Sequence, residues 1–227
     1  MENIQPAAEK PAISGPMPKR DFWLGIICGL LIGIMFMPVL RMAKPDLYEK
    51  LKLAILPFFV IGTPLGLIVC HLIGKKITVI WQFGKFFVTG VMNVLVDFGT
   101  LAIETAIFRN YFHIKSTDVM LTIGAAITFY SLYKAISFTV SNINSYFWNK
   151  YWTFDKRGDN DSEFVQFFTV SIVGFIVNVV VASLVFNSFS SSTTLTADQW
   201  SLVGAAAGSI AGLMWNFLGY KFIVFKS

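Results

Sequence analysis

The polar residues of one apolar segment, near the middle of the chain, have the spacing of a single helical face. Asn93 and Asp97 are four residues apart, and Glu104 follows seven residues after Asp97. Residues at such intervals lie on the same side of an α-helix. A carboxylate that faced lipid would carry a large free-energy penalty, so we expect this side to face other helices. There the three side chains can bind a polar or charged group.

The next apolar segment carries the basic partner that such an acid needs. Lys134 lies 13 residues before Phe147, and Asp97 lies 14 residues after Phe83. If the two helices are antiparallel and these phenylalanines are level, Asp97 and Lys134 share a depth near mid-membrane. The sequence therefore predicts an ion pair or a short water-bridged contact. Such a pair can line a ligand path, or it can serve only as a clamp between helices.

Further polar residues of the apolar segments are candidates for binding. Three lysines lie at helix ends on one predicted side of the membrane, at Lys85, Lys150 and Lys221. A lysine there can hold an anionic group, or it can anchor the helix end by extending towards water. The remaining candidates carry an amide or a hydroxyl group: Ser141, Asn142, Asn149, Asn178 and Asn216.

The sequence lacks the residue patterns of the common catalytic sites. It contains no Walker loop, no H-E-x-x-H motif and no G-x-S-x-G motif. Cys28 and Cys70 lie in apolar segments, and His71 and His113 are far apart in the sequence. Neither a disulfide nor a metal site is expected from such isolated residues. We therefore expect a protein that is not an enzyme and has no catalytic residue, metal or cofactor.

The composition indicates the elements that must position these residues. Of the 227 residues, 55% are hydrophobic and only 14% are charged, and the mean hydropathy is +0.65. A soluble domain carries about 25% charged residues, so this class is excluded. A helix needs about 20 apolar residues to cross a bilayer. Six segments qualify, and they are Phe22–Met42, Leu51–Ile73, Phe83–Phe108, Val119–Phe147, Phe164–Phe186 and Trp200–Phe225.

The distribution of basic residues predicts the orientation of these six spans. With the amino terminus inside, eleven Lys and Arg residues lie on the inner side and six on the outer side. Lys134, within a span, completes the 18 of the chain. Cytoplasmic loops carry the excess of Lys and Arg. We therefore expect a multi-pass protein of the cytoplasmic membrane, with both termini in the cytoplasm.

Three spans contain glycine at every fourth position. Such a series leaves a groove on the helix that lets a second helix approach closely. At least one series is expected to serve packing within the chain, and another can serve a dimer. The series are Gly25, Gly29 and Gly33 in the first span, Gly62 and Gly66 in the second, and Gly204, Gly208 and Gly212 in the sixth.

The last four spans contain an internal repeat. Phe83–Phe87 aligns with Phe164–Phe168, and Ser145–Phe154 aligns with Asn216–Phe225. Each repeat holds two spans and returns the chain to its starting side, so the repeats are expected to be parallel. The fold class predicted is all-α, with two parallel two-helix repeats.

Equivalent positions of the two repeats differ in charge. Asn178 takes the place of Asp97, while Lys221 takes the place of Lys150. A neutral amide where the first repeat has an acid favours a single binding site, biased towards the first repeat. The alternative is that the duplication only builds a four-helix scaffold.

Four motifs follow one another in the second part of the chain. They are K-F-F-x-x-G-x(6)-D at Lys85–Asp97, W-T-F at Trp152–Phe154, F-x-x-F-F at Phe164–Phe168 and N-F-x(3)-K-F-x-V-F at Asn216–Phe225. In these motifs the chain resembles the GtrA-like family of small four-span bacterial and archaeal membrane proteins. The resemblance implies a four-helix domain over residues 80–227, with repeats at 80–155 and 163–227. Residues 21–79 then form an additional amino-terminal hairpin, and the polar residues 1–20 are expected to be disordered.

The resemblance also implies a function. The family is associated with polyprenyl-phosphate-linked sugars, and its proposed task is to flip a lipid-linked monosaccharide such as undecaprenyl-phosphate-glucose to the outer leaflet. There the sugar modifies an envelope polysaccharide. The implied partners are this glycolipid, membrane lipid, a glycosyltransferase and a second copy in a homodimer, with no nucleic acid. On this interpretation Lys134 attracts the lipid phosphate, and Lys85, Lys150 and Lys221 hold the head group as it enters.

Two other functions compete with flipping. The protein can be a non-transporting accessory subunit that anchors a polyprenyl-phosphate glycosyltransferase in the membrane. A weaker alternative is a small-solute exporter, because a buried acid in a small helical bundle can couple transport to protons. Neither the sugar nor the role of the first hairpin follows from the sequence.

Overall fold

The long apolar segments of the sequence form α-helices in the computed structural model, which describes residues 15–123, 125–156, 158, 162–187 and 197–225. Helices satisfy every internal backbone hydrogen bond, as a chain in lipid requires. The all-α membrane fold is therefore confirmed. Within the described residues the six helices are α1 (Lys19–Ala43), α2 (Pro45–Gly74), α3 (Thr78–Tyr111), α4 (Phe129–Trp148), α5 (Glu163–Asn187) and α6 (Ala197–Gly219).

Four of these helices, α1, α2, α3 and α5, are long and apolar enough to cross a membrane. The helix α4 is more polar, because Lys134 and several serine and asparagine residues lie within it. The number of six crossings therefore stays a prediction. Of the predicted disordered segment 1–20, residues 1–14 lie outside the described residues, and α1 begins at Lys19.

The fourth predicted span is wrong in its first part. The sequence predicts one helix over Val119–Phe147, but a β-hairpin precedes the helix. Strand β1 (Val119–Ile123) pairs in antiparallel orientation with β2 (Ala125–Thr128). The segment is apolar and rich in β-branched residues, and hydropathy does not distinguish such a strand from a buried helix. The 20 residues of α4 still rise about 30 Å, which is the thickness of the hydrocarbon core.

The chain divides into two compact units, one ending at Ser141 and the other beginning at Asn142. The division falls within α4 and does not coincide with the domain boundary at residues 79 and 80 that the sequence predicts. In the first unit, α1, α2 and α3 pack against one another. In the second unit, α5 packs along α6.

Glycine residues allow the helices of two pairs to approach each other closely. A Cβ atom added at Gly25 would lie 2.8 Å from Leu67 Cδ1 on α2, and one at Gly29 would overlap the Phe59 carbonyl group. A Cβ atom at Gly212 would lie 2.9 Å from the Gly174 carbonyl oxygen on α5. Two of the predicted glycine series therefore pack within the chain, in the α1–α2 pair and the α5–α6 pair. The third series differs, because nothing lies within 4 Å of a Cβ atom placed at Gly62 or Gly66.

The internal repeat is visible in the backbone. Both α4 and α6 continue into a five-residue π-helical turn, at Asn149–Thr153 and at Tyr220–Val224. Each turn closes in the same way, since Phe154 N–H donates to the Asn149 carbonyl at 2.9 Å and Phe225 N–H donates to the Tyr220 carbonyl at 2.8 Å. These positions are equivalent in the sequence alignment of the repeats, and π turns are rare. The two π turns therefore fall at equivalent positions of the repeat that the sequence predicts.

Candidate functional site

The two ionisable residues predicted to meet at one depth form an ion pair. Lys134 Nζ on α4 donates a hydrogen bond to Asp97 Oδ2 on α3. The other carboxylate oxygen, Asp97 Oδ1, accepts a hydrogen bond from Ser137 Oγ at 2.7 Å. Ser137 lies three residues after Lys134, so both donors come from the same face of α4. The predicted contact is confirmed, while the part played by Ser137 was not foreseen.

The two members of this pair differ in access. The Lys134 side chain is 39% exposed, whereas the Asp97 side chain is 16% exposed. The carboxylate is thus enclosed and bound on both oxygens, whereas the side chain that carries the ammonium group is partly exposed. Another anionic oxygen could replace the carboxylate as the partner of Lys134, because an ammonium group binds either as a charged donor.

The rest of the polar face of α3 turns inward, as its spacing predicts. Asn93 Oδ1 and Glu104 Oε2 are buried oxygen atoms with no hydrogen-bond partner within the described residues. Val94 and Phe98, which lie outside this face, are exposed. Buried polar atoms are nearly always hydrogen-bonded in native proteins. Each of these two oxygens can therefore still accept a hydrogen bond, one before Asp97 and one after it along α3.

Lys85 lies in a different environment from the one expected of a head-group ligand. Its ammonium nitrogen is 3.8 Å from Asp21 Oδ1 on α1, and both side chains are buried. The same nitrogen is 4.9 Å from the centre of the Trp81 ring. Lys85 therefore connects α3 to the amino-terminal hairpin. Asp21 was missed because one acid next to Lys19 and Arg20 is typical of an ordinary helix start.

Lys150 is enclosed even more completely, in the second unit. Its ammonium nitrogen is 2.8 Å from Glu163 Oε2, and the side chains of the pair are 3% and 2% exposed. Lys150 Nζ also donates to Tyr146 Oη at 3.3 Å, and this hydroxyl donates to Glu163 Oε2 at 3.4 Å. A head group could reach Lys150 only if this cluster opened. Glu163 was missed because it lies in the polar connection just before an apolar run.

Lys221, the repeat equivalent of Lys150, is placed among rings. Its ammonium nitrogen is 5.9 Å from the centre of the Phe217 ring and 5.5 Å from that of the Phe222 ring. These distances are within the range of cation–π contacts. Both equivalent lysines therefore lie near aromatic rings, since Lys150 Nζ is 5.6 Å from the centre of the Tyr146 ring, and Lys150 also pairs with Glu163.

The neutral candidates at the end of α4 and in the π turn that follows it are buried. Ser141 Oγ donates to the Phe138 carbonyl at 2.9 Å, and Asn149 Nδ2 donates to the Ser145 carbonyl at 2.8 Å. Asn149 Oδ1 has no partner within the described residues, and Asn142 is buried. Side chains that bond to the preceding turn often bend a helix. These residues therefore shape the end of α4, where the π turn begins.

The two asparagines of the second repeat lie between α5 and α6. Asn178 contacts the glycine series of α6, since a Cβ atom at Gly212 would lie 3.0 Å from Asn178 Cβ. Asn216 lies against Gly174, and its Oδ1 atom is buried without a partner within the described residues. The structure thus places Asn178 and Asn216 in one helix interface. Binding by either residue stays a prediction.

No group of three metal-binding side chains is close together in the part of the chain that the structure describes. Cys28 is buried and Cys70 is half-buried, and both are free thiols. The charged clusters described above are ion pairs.

Comparisons with known proteins point to one family. The family model described as GtrA/DPMS, transmembrane domain, matches residues 85–225. The uncharacterized membrane protein YngA of Bacillus subtilis (strain 168) is 29% identical over 143 residues, which cover 63% of this chain and 78% of that protein. No solved structure matches the chain significantly. The matched region contains the Asp97–Lys134 pair and begins after the first hairpin.

Proposed function

The chain belongs to the GtrA/DPMS transmembrane family, and from this premise we propose that it flips a polyprenyl-phosphate-linked monosaccharide across the cytoplasmic membrane. Membership of this family supports a role for this multi-pass membrane protein in processes that involve polyprenyl-linked sugars. In the proposed function the sugar passes from the cytoplasmic leaflet to the outer leaflet, where it is used to glycosylate an envelope polysaccharide. No covalent bond is made or broken, so the proposed function needs no catalytic residue.

The observation that carries this proposal is the partly exposed side chain of Lys134 beside the enclosed carboxylate of Asp97. The lipid to be moved has one phosphodiester charge, which must cross the low-dielectric part of the bilayer. A cation at the crossing point lowers the cost of that step. Asp97 holds Lys134 when no lipid is present, and the phosphate takes its place during passage. Ser137 keeps one oxygen of the released carboxylate hydrogen-bonded.

The test is a flipping assay in liposomes that contain a polyprenyl-phosphate-linked glucose. Periodate added outside cleaves the sugar only in the outer leaflet, so flipping appears as a loss of the protected fraction. We expect Lys134→Met to slow flipping about 10- to 100-fold, since a charge-assisted hydrogen bond is worth roughly 1.5–3 kcal/mol. Asp97→Asn is expected to slow it as well, because Lys134 is then no longer positioned.

The matched control is Lys115→Met, which removes one exposed lysine outside the pair and should leave the rate unchanged. The double variant Asp97→Asn with Lys134→Met checks folding, because it contains no uncompensated charge. Flipping at the normal rate in folded Lys134→Met and Asp97→Asn would contradict the site assignment.

A second candidate function is supported by the burial of the other two cations. Lys85 and Lys150 are each enclosed in an ion pair, as expected of residues that hold helices together. A protein that uses its lysines in this way could anchor a polyprenyl-phosphate glycosyltransferase without moving lipid. Co-purification with such an enzyme, together with no flipping by the purified protein alone, would favour this function over the first.

A further inference from the structure

A pocket outside the family domain combines cationic and apolar residues. It lies where α1 begins and α2 ends, and its volume is about 330 Å³. Its polar residues are Lys19, His71 and Lys75, and its apolar residues include Phe22 and Trp23. All of them precede the region that matches the family, so the pocket is distinct from the Asp97–Lys134 site.

The histidine of this pocket has an unused acceptor. His71 is only 2% exposed, and its Nε2–H donates to the Gly15 carbonyl at 3.3 Å. In the ring form that carries its only proton on Nε2, Nδ1 is an acceptor. Within the described residues His71 Nδ1 is buried and has no partner. A hydroxyl group of a ligand would satisfy it, since a buried polar atom without a partner is costly.

The two lysines supply positive charge beside this acceptor. Lys19 and Lys75 are both exposed, and neither forms a salt bridge with another described residue. Lys19 is the first residue of α1, so the positive end of the helix dipole adds to its field. Two ammonium groups at one pocket favour an anionic oxygen group, such as a phosphate.

The apolar side of the pocket indicates that the ligand is a lipid. Trp23 is 61% exposed and Leu72 is 56% exposed, and both line the pocket. Tryptophan next to lysine is typical of the boundary between head groups and hydrocarbon. A soluble phosphate compound would leave this apolar surface uncovered, whereas an acyl chain would cover it.

We propose that this pocket binds an anionic phospholipid whose head group carries a free hydroxyl, as a phosphoglycerol group does. Lys19 and Lys75 bind the phosphate, His71 Nδ1 accepts a hydrogen bond from the hydroxyl, and the acyl chain lies along Trp23 and Leu72. The first hairpin thereby binds a particular class of membrane lipid. This inference is independent of the proposed flipping of a sugar lipid.

Neighbouring lysines provide a matched test of the charge. The full-length protein in detergent is titrated with phosphatidylglycerol, and bound lipid is counted by native mass spectrometry. We expect Lys75→Gln to weaken binding about fivefold, the effect of one lysine near an anionic surface. Lys76→Gln makes the same change of charge at the next residue, which is exposed but does not line the pocket, and should bind as the unaltered protein does. Equal affinities of the two variants would overturn the proposal.

The hydroxyl contact is tested with phosphatidylmethanol, an anionic phosphodiester lipid without a free hydroxyl. The unaltered protein should prefer phosphatidylglycerol, and His71→Phe should abolish that preference while phosphatidylmethanol still binds. An unchanged preference in His71→Phe would overturn the role of Nδ1. Soluble glycerol phosphate is the comparison for a free phosphate compound, and binding as tight as that of phosphatidylglycerol would overturn the assignment to a lipid.

Discussion

At the scale of single residues, the surroundings of a lysine decide what it can bind. Lys134 is partly exposed beside Asp97, while Lys150 is enclosed with Glu163 and Lys85 is enclosed with Asp21. The sequence alone makes all three lysines candidates for one role. The structure separates them by access, and only access allows a mobile anion to compete with a resident carboxylate.

The enclosed pair of Lys150 and Glu163 gives a prediction about stability. Glu163→Ala leaves a buried ammonium group without its acid, which should lower the free energy of unfolding by about 3–5 kcal/mol. Replacing both residues, as Lys150→Met with Glu163→Leu, should cost less than the sum of the single changes, because no charge is then left unpaired. Thermal unfolding in detergent measures Glu163→Ala, the double variant and its two single variants, Lys150→Met and Glu163→Leu. Additive losses would show that the two side chains do not act as a pair.

How far the sequence predicts these residues depends on where they lie. Asp97 and Lys134 could be matched, because both lie inside apolar segments where a charge is rare and depth can be counted from the helix ends. The pairing of Asp21 and of Glu163 with a lysine could not be predicted, because an acid at the start of a helix is common in any protein. Their significance comes from burial, and burial of a helix end depends on tertiary packing.

At the scale of elements, glycine decides which helices pack closely. The series on α1 and on α6 lie directly against the backbone of the neighbouring helix, whereas Gly62 and Gly66 on α2 face open space. The sequence pattern is the same in all three cases. The spacing predicts that a helix can be approached closely, but it does not say whether a neighbour is there.

Alanine substitutions distinguish the two kinds of glycine. A Cβ atom at Gly208 would overlap the Asn178 carbonyl group and would lie 2.8 Å from Ala182 Cβ, so Gly208→Ala should destabilise the α5–α6 pair by roughly 1–3 kcal/mol. Gly62→Ala meets nothing and should be neutral or stabilise by up to about 1 kcal/mol, since alanine favours a helix more than glycine does. The melting temperatures of the two purified variants give the comparison. A similar loss in both would argue that Gly62 is also packed.

The β-hairpin before α4 shows another limit of prediction at this scale. Val119–Ile123 is as apolar as the helices around it, and an apolar run does not reveal its secondary structure. Open strand edges are not tolerated in lipid, so the hairpin is expected outside the hydrocarbon core. The helix that follows is polar for a membrane span, which suits a helix that contributes Lys134 to a site.

At the scale of the whole molecule, the family domain is preceded by a helical hairpin that has charged and pocket-lining residues of its own. The family model begins at residue 85, while α1 and α2 contribute the buried Asp21 and the pocket at His71. The composition excludes a soluble protein, but it does not tell what an extra hairpin adds. The contacts of Lys85 indicate that this hairpin is joined to the domain through charge as well as through apolar packing.

The orientation of the molecule is a prediction that labelling can test. In a background without Cys28 and Cys70, single cysteines are introduced by Lys76→Cys and by Lys50→Cys. The charge distribution places residue 76 in the cytoplasm and residue 50 outside. An impermeant maleimide added to intact cells should therefore label the Lys50→Cys variant alone, and both variants after the cells are opened. Labelling of the Lys76→Cys variant in intact cells would show that the orientation is the reverse of the predicted one.

The paired π turns at the ends of α4 and α6 bear on the history of the chain. Both turns occupy equivalent positions of the two repeats and close with equivalent hydrogen bonds. An irregularity this rare is more simply inherited once than acquired twice at one position. A shared irregularity of this kind is what duplication of one two-helix unit would leave in the backbone.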